Sequence, residues 1–295
     1  MWLRRHAAGI MQATGAGLFG MTVAVHTWWS EVQTLRSPAE LEAERSLPTP
    51  VEAQKMRFVR FPAAVSRQEI EELLASLPGL RAAGAGTLRR TGLGTVLYDD
   101  SSEAATWVTT YLHTDRLFQR QHSALFERLR KLALNADTAN WGICKAATKD
   151  CVGFQSSSGT SIKTRVIELH EVGPGGTLNH EQHLDHGSCI TLDVMLADQD
   201  EFDGGAFETL EVDGSCTRPE FAIGDVLVFP SHKYHCVRPV TAGQRKTLIL
   251  EFWLGEERIC PHRCEQHWGQ CDYKPGADKW RRRLLDGPQG VVDPW

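Results

Sequence analysis

The sequence predicts a mainly β protein with flanking helices (α+β), its centre an antiparallel sandwich or barrel. Three observations carry this. Six short segments rich in Val, Ile, Leu, Phe and Thr fall at 165–172, 188–196, 206–212, 224–230, 233–237 and 245–253. What separates them is Gly and Pro, as in G-P-G-G at 173–176, Gly204-Gly205 and T-A-G-Q at 241–244, with no helical period between. Strands that follow one another without crossover helices pair antiparallel. The clearest helical period lies upstream, at 115–134, where Leu117, Phe118, Leu125, Leu129 and Leu132 share one face.

At 295 residues the chain has room for one large domain with extensions. Its 41% hydrophobic and 23% charged residues are ordinary globular values, so a packed core is affordable. The net charge of −5 and the absence of a dominating basic block argue against a nucleic-acid partner. Nothing in the sequence speaks to oligomeric state.

Taken in order, residues 1–30 begin with Arg4 and Arg5 and then run uncharged from Ala7 to Ser30. That pattern is expected of a signal peptide or signal anchor, which would place the domain in the secretory pathway or ER lumen, or tether it to a membrane. An organelle transit peptide and an ordinary packed segment of a cytoplasmic protein are the alternatives. Residues 31–140 form a helical support region. Within it, 37–46 reads as a helix with Pro in its first turn, and L-P-T-P at 47–50 as a linker. A strand is expected at 56–61. Ser66 and Glu69 make a capping box that opens a helix running to about Leu77, with Pro78-Gly79 ending it. Residues 79–100 read as a loop with one strand around 95–98. The strand-rich domain spans 141–255 and a Cys-containing tail spans 256–295.

Within the strand-rich region, His183, Leu184 and Asp185 form H-x-D, and His235 follows on a later strand. Side chains at i and i+2 of a strand leave the same face, so His183 and Asp185 can meet one ion if the strand bends slightly. Two imidazoles and one carboxylate fill one face of an octahedron, the ligand set of a non-haem Fe(II) centre. Arg245 opens the last strand. An Arg beside such a centre suits a bidentate grip on a carboxylate. Lys246 neighbours it but faces the other way.

The ordered set of H-x-D at 183–185, F-D-G-G-A-F at 202–207, G-D-V-L-V-F at 224–229 and H-C-V-R-P-V-T-A-G-Q-R at 235–245 resembles the 2-oxoglutarate- and Fe(II)-dependent dioxygenases, in particular their prolyl 4-hydroxylase-like branch. The resemblance covers roughly 165–253. It implies a double-stranded β-helix, or jelly-roll, core. It implies Fe(II) on His183, Asp185 and His235, 2-oxoglutarate gripped at its distal carboxylate by Arg245, and ascorbate as reductant. The implied reaction consumes O2, hydroxylates a C–H bond of a protein or peptide side chain or of a small molecule, and releases succinate and CO2. The Tyr that the branch carries on the strand before H-x-D has no counterpart between Arg165 and Asp185. Two rivals remain: a non-catalytic jelly-roll binding module, and a zinc hydrolase using the same ligands.

The tail reads C-P-H-R-C-E-Q-H-W-G-Q-C, which brings Cys260, His262, Cys264, His267 and Cys271 close in sequence. Disulfides, free thiols and a structural zinc site are the three readings, and disulfides would go with the secretory reading. Gly204-Gly205 is expected either as a turn or as a loop stripped of side chains so that it can approach the site.

Overall fold

The computed structural model describes residues 47–91, 96–97, 105–144, 162–267 and 269–271. The uncharged N-terminal stretch, the helix expected at 37–46 and most of the loop at 148–163 lie outside them. Among the described residues no helix is long and apolar enough to cross a membrane.

L-P-T-P is a helix start rather than a linker. Thr49 accepts from the Glu52 N–H while Glu52 reaches back to the Thr49 N–H, and Pro50 takes the first position of α1 (Pro50–Lys55). The expected strand at 56–61 shrinks to β1 (Val59–Phe61). Ser66 and Glu69 cap α2 as the sequence predicts, but α2 (Arg67–Ala82) continues through Pro78. The proline gives up one backbone hydrogen bond, while the burial of Leu77 on one side and Leu80 on the other keeps the axis running. The segment expected as loop contains β2 (Gly86–Arg90), and β3 (Val96–Leu97) falls where a strand was expected. β4 (Trp107–Tyr111) was not anticipated. The long helical period resolves into a 3-10 turn (Thr114–Arg116), α3 (Leu117–Gln121) and α4 (Ser123–Asn140), with a break at His122.

The remaining strands are β5 (Lys163–Val172), β6 (Leu178–His183), β7 (Ile190–Met195), β8 (Phe202–Gly204), β9 (Phe207–Leu210), β10 (Cys216–Thr217), β11 (Val226–Pro230), β12 (His235–Val237), β13 (Val240–Gly243) and β14 (Arg245–Trp253). β6, β8 and β10 add to the strands read from sequence, and T-A-G-Q proves to be mostly strand, with Gly243 at positive φ before β14. The large sheet runs β1-β11-β7-β14-β5-β4-β2-β3 and the smaller one β10-β9-β12-β6. The pairings are antiparallel. From β5 onward the chain passes back and forth between the two sheets, so that β11-β7-β14-β5 faces β10-β9-β12-β6. That interleaving is a jelly roll.

Both faces of the large sheet are covered, by different chemistry. Ile167, Leu169, Leu192, Val194, Leu248 and Leu250 pack against Leu73, Leu77, Leu80, Phe118 and Leu129 from the helices. Each such Leu or Phe contributes roughly 1.5–3 kcal/mol as an upper figure. The alternate residues Glu168, His170, Thr191, Asp193, Arg245, Thr247 and Glu251 point between the sheets. A smaller aromatic cluster of Phe202, Phe207, Phe221 and Phe229 closes one end of that interior.

Candidate metal centre and carboxylate pocket

The antiparallel register sets His183, the last residue of β6, directly opposite His235, the first of β12. Their ring centroids lie 4.9 Å apart with planes at 84°. Asp185 does not share a strand with His183. β6 ends at His183, and the chain then turns, because the Asp185 N–H donates to the Ser231 carbonyl at 2.9 Å. The turn brings Asp185 Oδ1 to 3.4 Å from His183 Nε2 and Oδ2 to 3.8 Å from His235 Nε2. One ligand atom from each of the three lies within 4.8 Å of the other two.

The surroundings hold these donors ready. His235 Nδ1 lies 3.0 Å from the Lys233 carbonyl, which can only accept, so the proton sits on Nδ1 and Nε2 keeps its lone pair for the centre. Lys233 is itself anchored, its ammonium donating to Glu211 at 2.9 Å and to the Gln54 carbonyl at 3.1 Å. Thr191 Oγ1 donates to Asp185 Oδ2 at 2.6 Å. Burial pushes the His235 pKa down to about 4, against the pull of Asp185, and keeps the ring neutral. Burial alone would raise Asp185. The groups around it, His183 and the Arg263 guanidinium among them, outweigh it and hold the carboxyl well below its usual range. A neutral His235 and an ionised Asp185 are protonation states that suit a divalent ion.

Arg245 faces the same pocket and Lys246 the outside, as strand alternation dictates. Arg245 is 2% exposed. Its Nη1 donates to Thr247 Oγ1 at 3.2 Å, while Nε and Nη2 are buried with no partner among the described residues. Burial lowers its pKa to about 10, so it stays charged at neutral pH, with the Asp193 carboxyl as the nearby acidic group. A buried guanidinium with two unanswered N–H groups is costly unless a ligand supplies an acceptor. Its fork fits a carboxylate. Gly205 makes room for it: at φ +61, a Cβ there would lie 2.8 Å from Arg245 Cδ. Gly204-Gly205 therefore serves both as a turn and as a close approach to the site. The donor set thus fits Fe(II), and Arg245 fits the far end of a dicarboxylate bound to it.

Several pocket residues escaped the sequence reading. Asp193 has its pKa raised to about 8, by burial first and by the Asp185 charge next, with Arg245 opposing. Glu168 Oε2 meets His170 Nε2 at 2.8 Å. Tyr111 on β4 supplies a phenol to the wall, in a region read as neither strand nor site. Arg263 reaches in from the tail, ion-paired with Glu251 and 3.6 Å from Asp185 Oδ1. Its charge is secured by Glu251, Asp185 and Glu168, which together raise its pKa against the effect of burial. I-T-L-D-V-M at 190–195 carried the available signal, since its polar residues fall at every second place. For Arg263 the sequence holds none.

No family profile matches the chain. Over 65 residues it is 37% identical to a PKHD-type hydroxylase of Stutzerimonas stutzeri, covering 22% of this chain and 27% of that protein. A PKHD-type hydroxylase of Saccharophagus degradans is 35% identical over 65 residues, with the same shares. The chain thus matches about a quarter of the length of these curated relatives. Among solved structures, a Pseudomonas putida prolyl-4-hydroxylase is 16% identical with a TM-score of 0.41, covering 70% of this chain and 100% of that one. A 2OG-Fe(II) oxygenase family oxidoreductase of Burkholderia pseudomallei is 16% identical with a TM-score of 0.39, covering 72% and 88%. At those scores the fold rests on the strand order described above. The strand order is that of a jelly roll, and a 65-residue stretch of the chain is similar to PKHD-type hydroxylases.

Proposed function

We propose that this chain is a 2-oxoglutarate- and Fe(II)-dependent dioxygenase that hydroxylates a C–H bond of a peptide or protein side chain, with a small molecule as the other substrate class. The observation that carries the reading is Arg245: a buried, charged guanidinium with two unpaired N–H groups, facing the pocket that His183, Asp185 and His235 line. A metal hydrolase built on the same three donors has no use for such a group. A bare binding module has no use for three donors converged on one point.

In this reading Nε2 of each histidine and a carboxylate oxygen of Asp185 hold Fe(II). Arg245 takes the distal carboxylate of 2-oxoglutarate, with Thr247 keeping its fork oriented. With both bound, the centre would supply O2-dependent hydroxylation of a C–H bond, coupled to conversion of 2-oxoglutarate to succinate and CO2. The chain's part is to exclude water by the aromatic cluster around Phe207 and Phe229, which pack on the His235 ring at centroid distances of 5.7 and 5.0 Å. Trp107, Tyr111 and His170 line the wall contributed by β4 and β5, where a substrate side chain would lie. Ascorbate belongs to the proposal as the agent that keeps iron reduced, and rests on the family resemblance.

The test is succinate release from 2-oxoglutarate by the purified chain with Fe(II) and O2, with a peptide library present and absent. Turnover that needs iron, consumes 2-oxoglutarate one for one and disappears in Asp185→Ala supports the proposal. Hydrolysis without 2-oxoglutarate, or cosubstrate never consumed in the presence of any peptide or small-molecule pool, overturns it.

A further inference from the structure

Beyond β14 the described chain has neither helix nor strand, yet it is tied down closely. The Arg258 N–H donates to the Thr164 carbonyl at 3.0 Å, and the Ile259 carbonyl accepts from Asp115 at 2.9 Å. His113 Nε2 lies 3.2 Å from the His262 carbonyl, and Arg165 Nε donates to the Cys264 carbonyl at 2.9 Å. Trp253 is covered by the His267 ring at 4.5 Å and by the Arg165 guanidinium at 5.2 Å. These contacts gather Cys260, His262, Cys264 and Cys271, and one ligand atom from each lies within 4.8 Å of the others. Of the three readings the sequence leaves open, disulfides are not formed at Cys260, Cys264 or Cys271.

We infer that Cys260, His262, Cys264 and Cys271 form a structural zinc site, and that this site fixes Arg263 in the pocket. Three thiolates and one imidazole are a soft donor set that suits Zn²⁺ in closed tetrahedral sites. With Zn–S near 2.3 Å the edges of such a tetrahedron are about 3.8 Å, so the cluster closes on an ion with a contraction of no more than about 1 Å. The histidine is oriented for it. His262 Nδ1 lies 3.0 Å from the Arg263 carbonyl, which puts the proton on Nδ1 and turns Nε2 to the thiols, 3.0 Å from Cys271 Sγ. A disulfide would engage two of the three sulfurs and leave the histidine without a role, whereas zinc engages all four groups. Arg263 sits between two ligands in sequence, and its guanidinium meets Glu251 and Asp185. The clamp thus sets the position of Arg263, the residue that the described part of the tail contributes to the pocket. The inference does not depend on the dioxygenase reading, since the zinc would be present whether or not the pocket turns over.

The experiment is metal analysis of the full chain purified without added zinc and dialysed against EDTA. One zinc per chain is expected, retained in Asp185→Ala and lost in Cys264→Ser and Cys271→Ser. As a guard against unfolding in those variants, Cys271→His serves beside them. It keeps four donors, should keep the zinc, and after exchange for Co²⁺ should lose about a third of the thiolate-to-metal charge-transfer absorption, one sulfur in three. Wild-type protein with less than about a tenth of a zinc, zinc unaffected by both serine variants, or a disulfide among Cys260, Cys264 and Cys271 in protein alkylated before reduction overturns the inference.

Discussion

The His183–Asp185–His235 face and the Cys260–Cys271 loop both converge donor atoms on a point, by opposite means. In the first, donors some fifty residues apart are brought together by the pairing of β6 with β12 and by the turn that carries Asp185. In the second, four donors lie within twelve residues of chain that has no ladder of its own. Ordering a loop costs roughly 1–2 kcal/mol per residue in backbone entropy, and the tail recovers this from scattered contacts and, in our proposal, from an ion. The face is therefore a prebuilt receptor, which should keep its shape without metal. The loop is an element whose order and ligand are the same event. Arg263 joins the two, being carried by the loop and paired with groups of the face.

The largest break expected is Asp185→Ala. Losing an anionic ligand from a three-residue set should abolish iron binding and reduce succinate release to background, with thermal stability changed little and the tail zinc intact. Near-stoichiometric iron in the variant, measured by metal analysis after desalting, would refute the assignment of the face.

Arg245→Ala comes next. A charge-assisted bidentate contact is worth roughly 1.5–3 kcal/mol, so 2-oxoglutarate binding should weaken about 10- to 100-fold while iron is retained. Lys246→Ala, on the outward side of β14, should do little. Titration calorimetry of the iron-loaded protein decides between them, and a larger effect from Lys246 would reverse the choice.

Gly205→Ala sharpens the same point without touching a ligand. A Cβ at φ +61 costs about 1–2 kcal/mol, and at 2.8 Å from Arg245 Cδ it must push that side chain. We expect the KM for 2-oxoglutarate to rise several-fold (roughly 3- to 10-fold at that strain) with iron content unchanged. An unaltered KM would mean that the glycine pair is a turn and nothing more.

The smallest effect is in pH. Asp193, with its pKa raised to about 8, is neutral below that value and ionises above it. Its charge would then compete with the cosubstrate carboxylate for Arg245. Affinity for 2-oxoglutarate should fall by about threefold as the pH rises through 8, a few tenths of a pKa unit in coupling, and Asp193→Asn should flatten the dependence. A profile identical in wild type and variant would remove Asp193 from the pocket's electrostatics.

Much of the site was legible because its parts carry local signatures. H-x-D followed by His235 and Arg245 offers candidate donors and a guanidinium, and Ser66 with Glu69 shows a helix start. Other parts misled for physical reasons. Pro78 reads as a stop, yet Leu77 and Leu80 hold α2 through it. Strand geometry was assumed for Asp185, whereas a hydrogen bond to Ser231 turns the chain there.

The sequence by itself determined the alternating strands, the candidate donors His183, Asp185 and His235 and the side of β14 on which Arg245 points, because strand periodicity and side-chain chemistry are local. Only the tertiary structure decided that Asp193, Glu251, Glu168 and Tyr111 share that interior, that Gly205 abuts Arg245, and that Arg263 reaches the face from a tail of clustered thiols. Those are meetings of residues far apart in the chain, set by sheet register and by the docking of an irregular segment, and no short window of sequence encodes either.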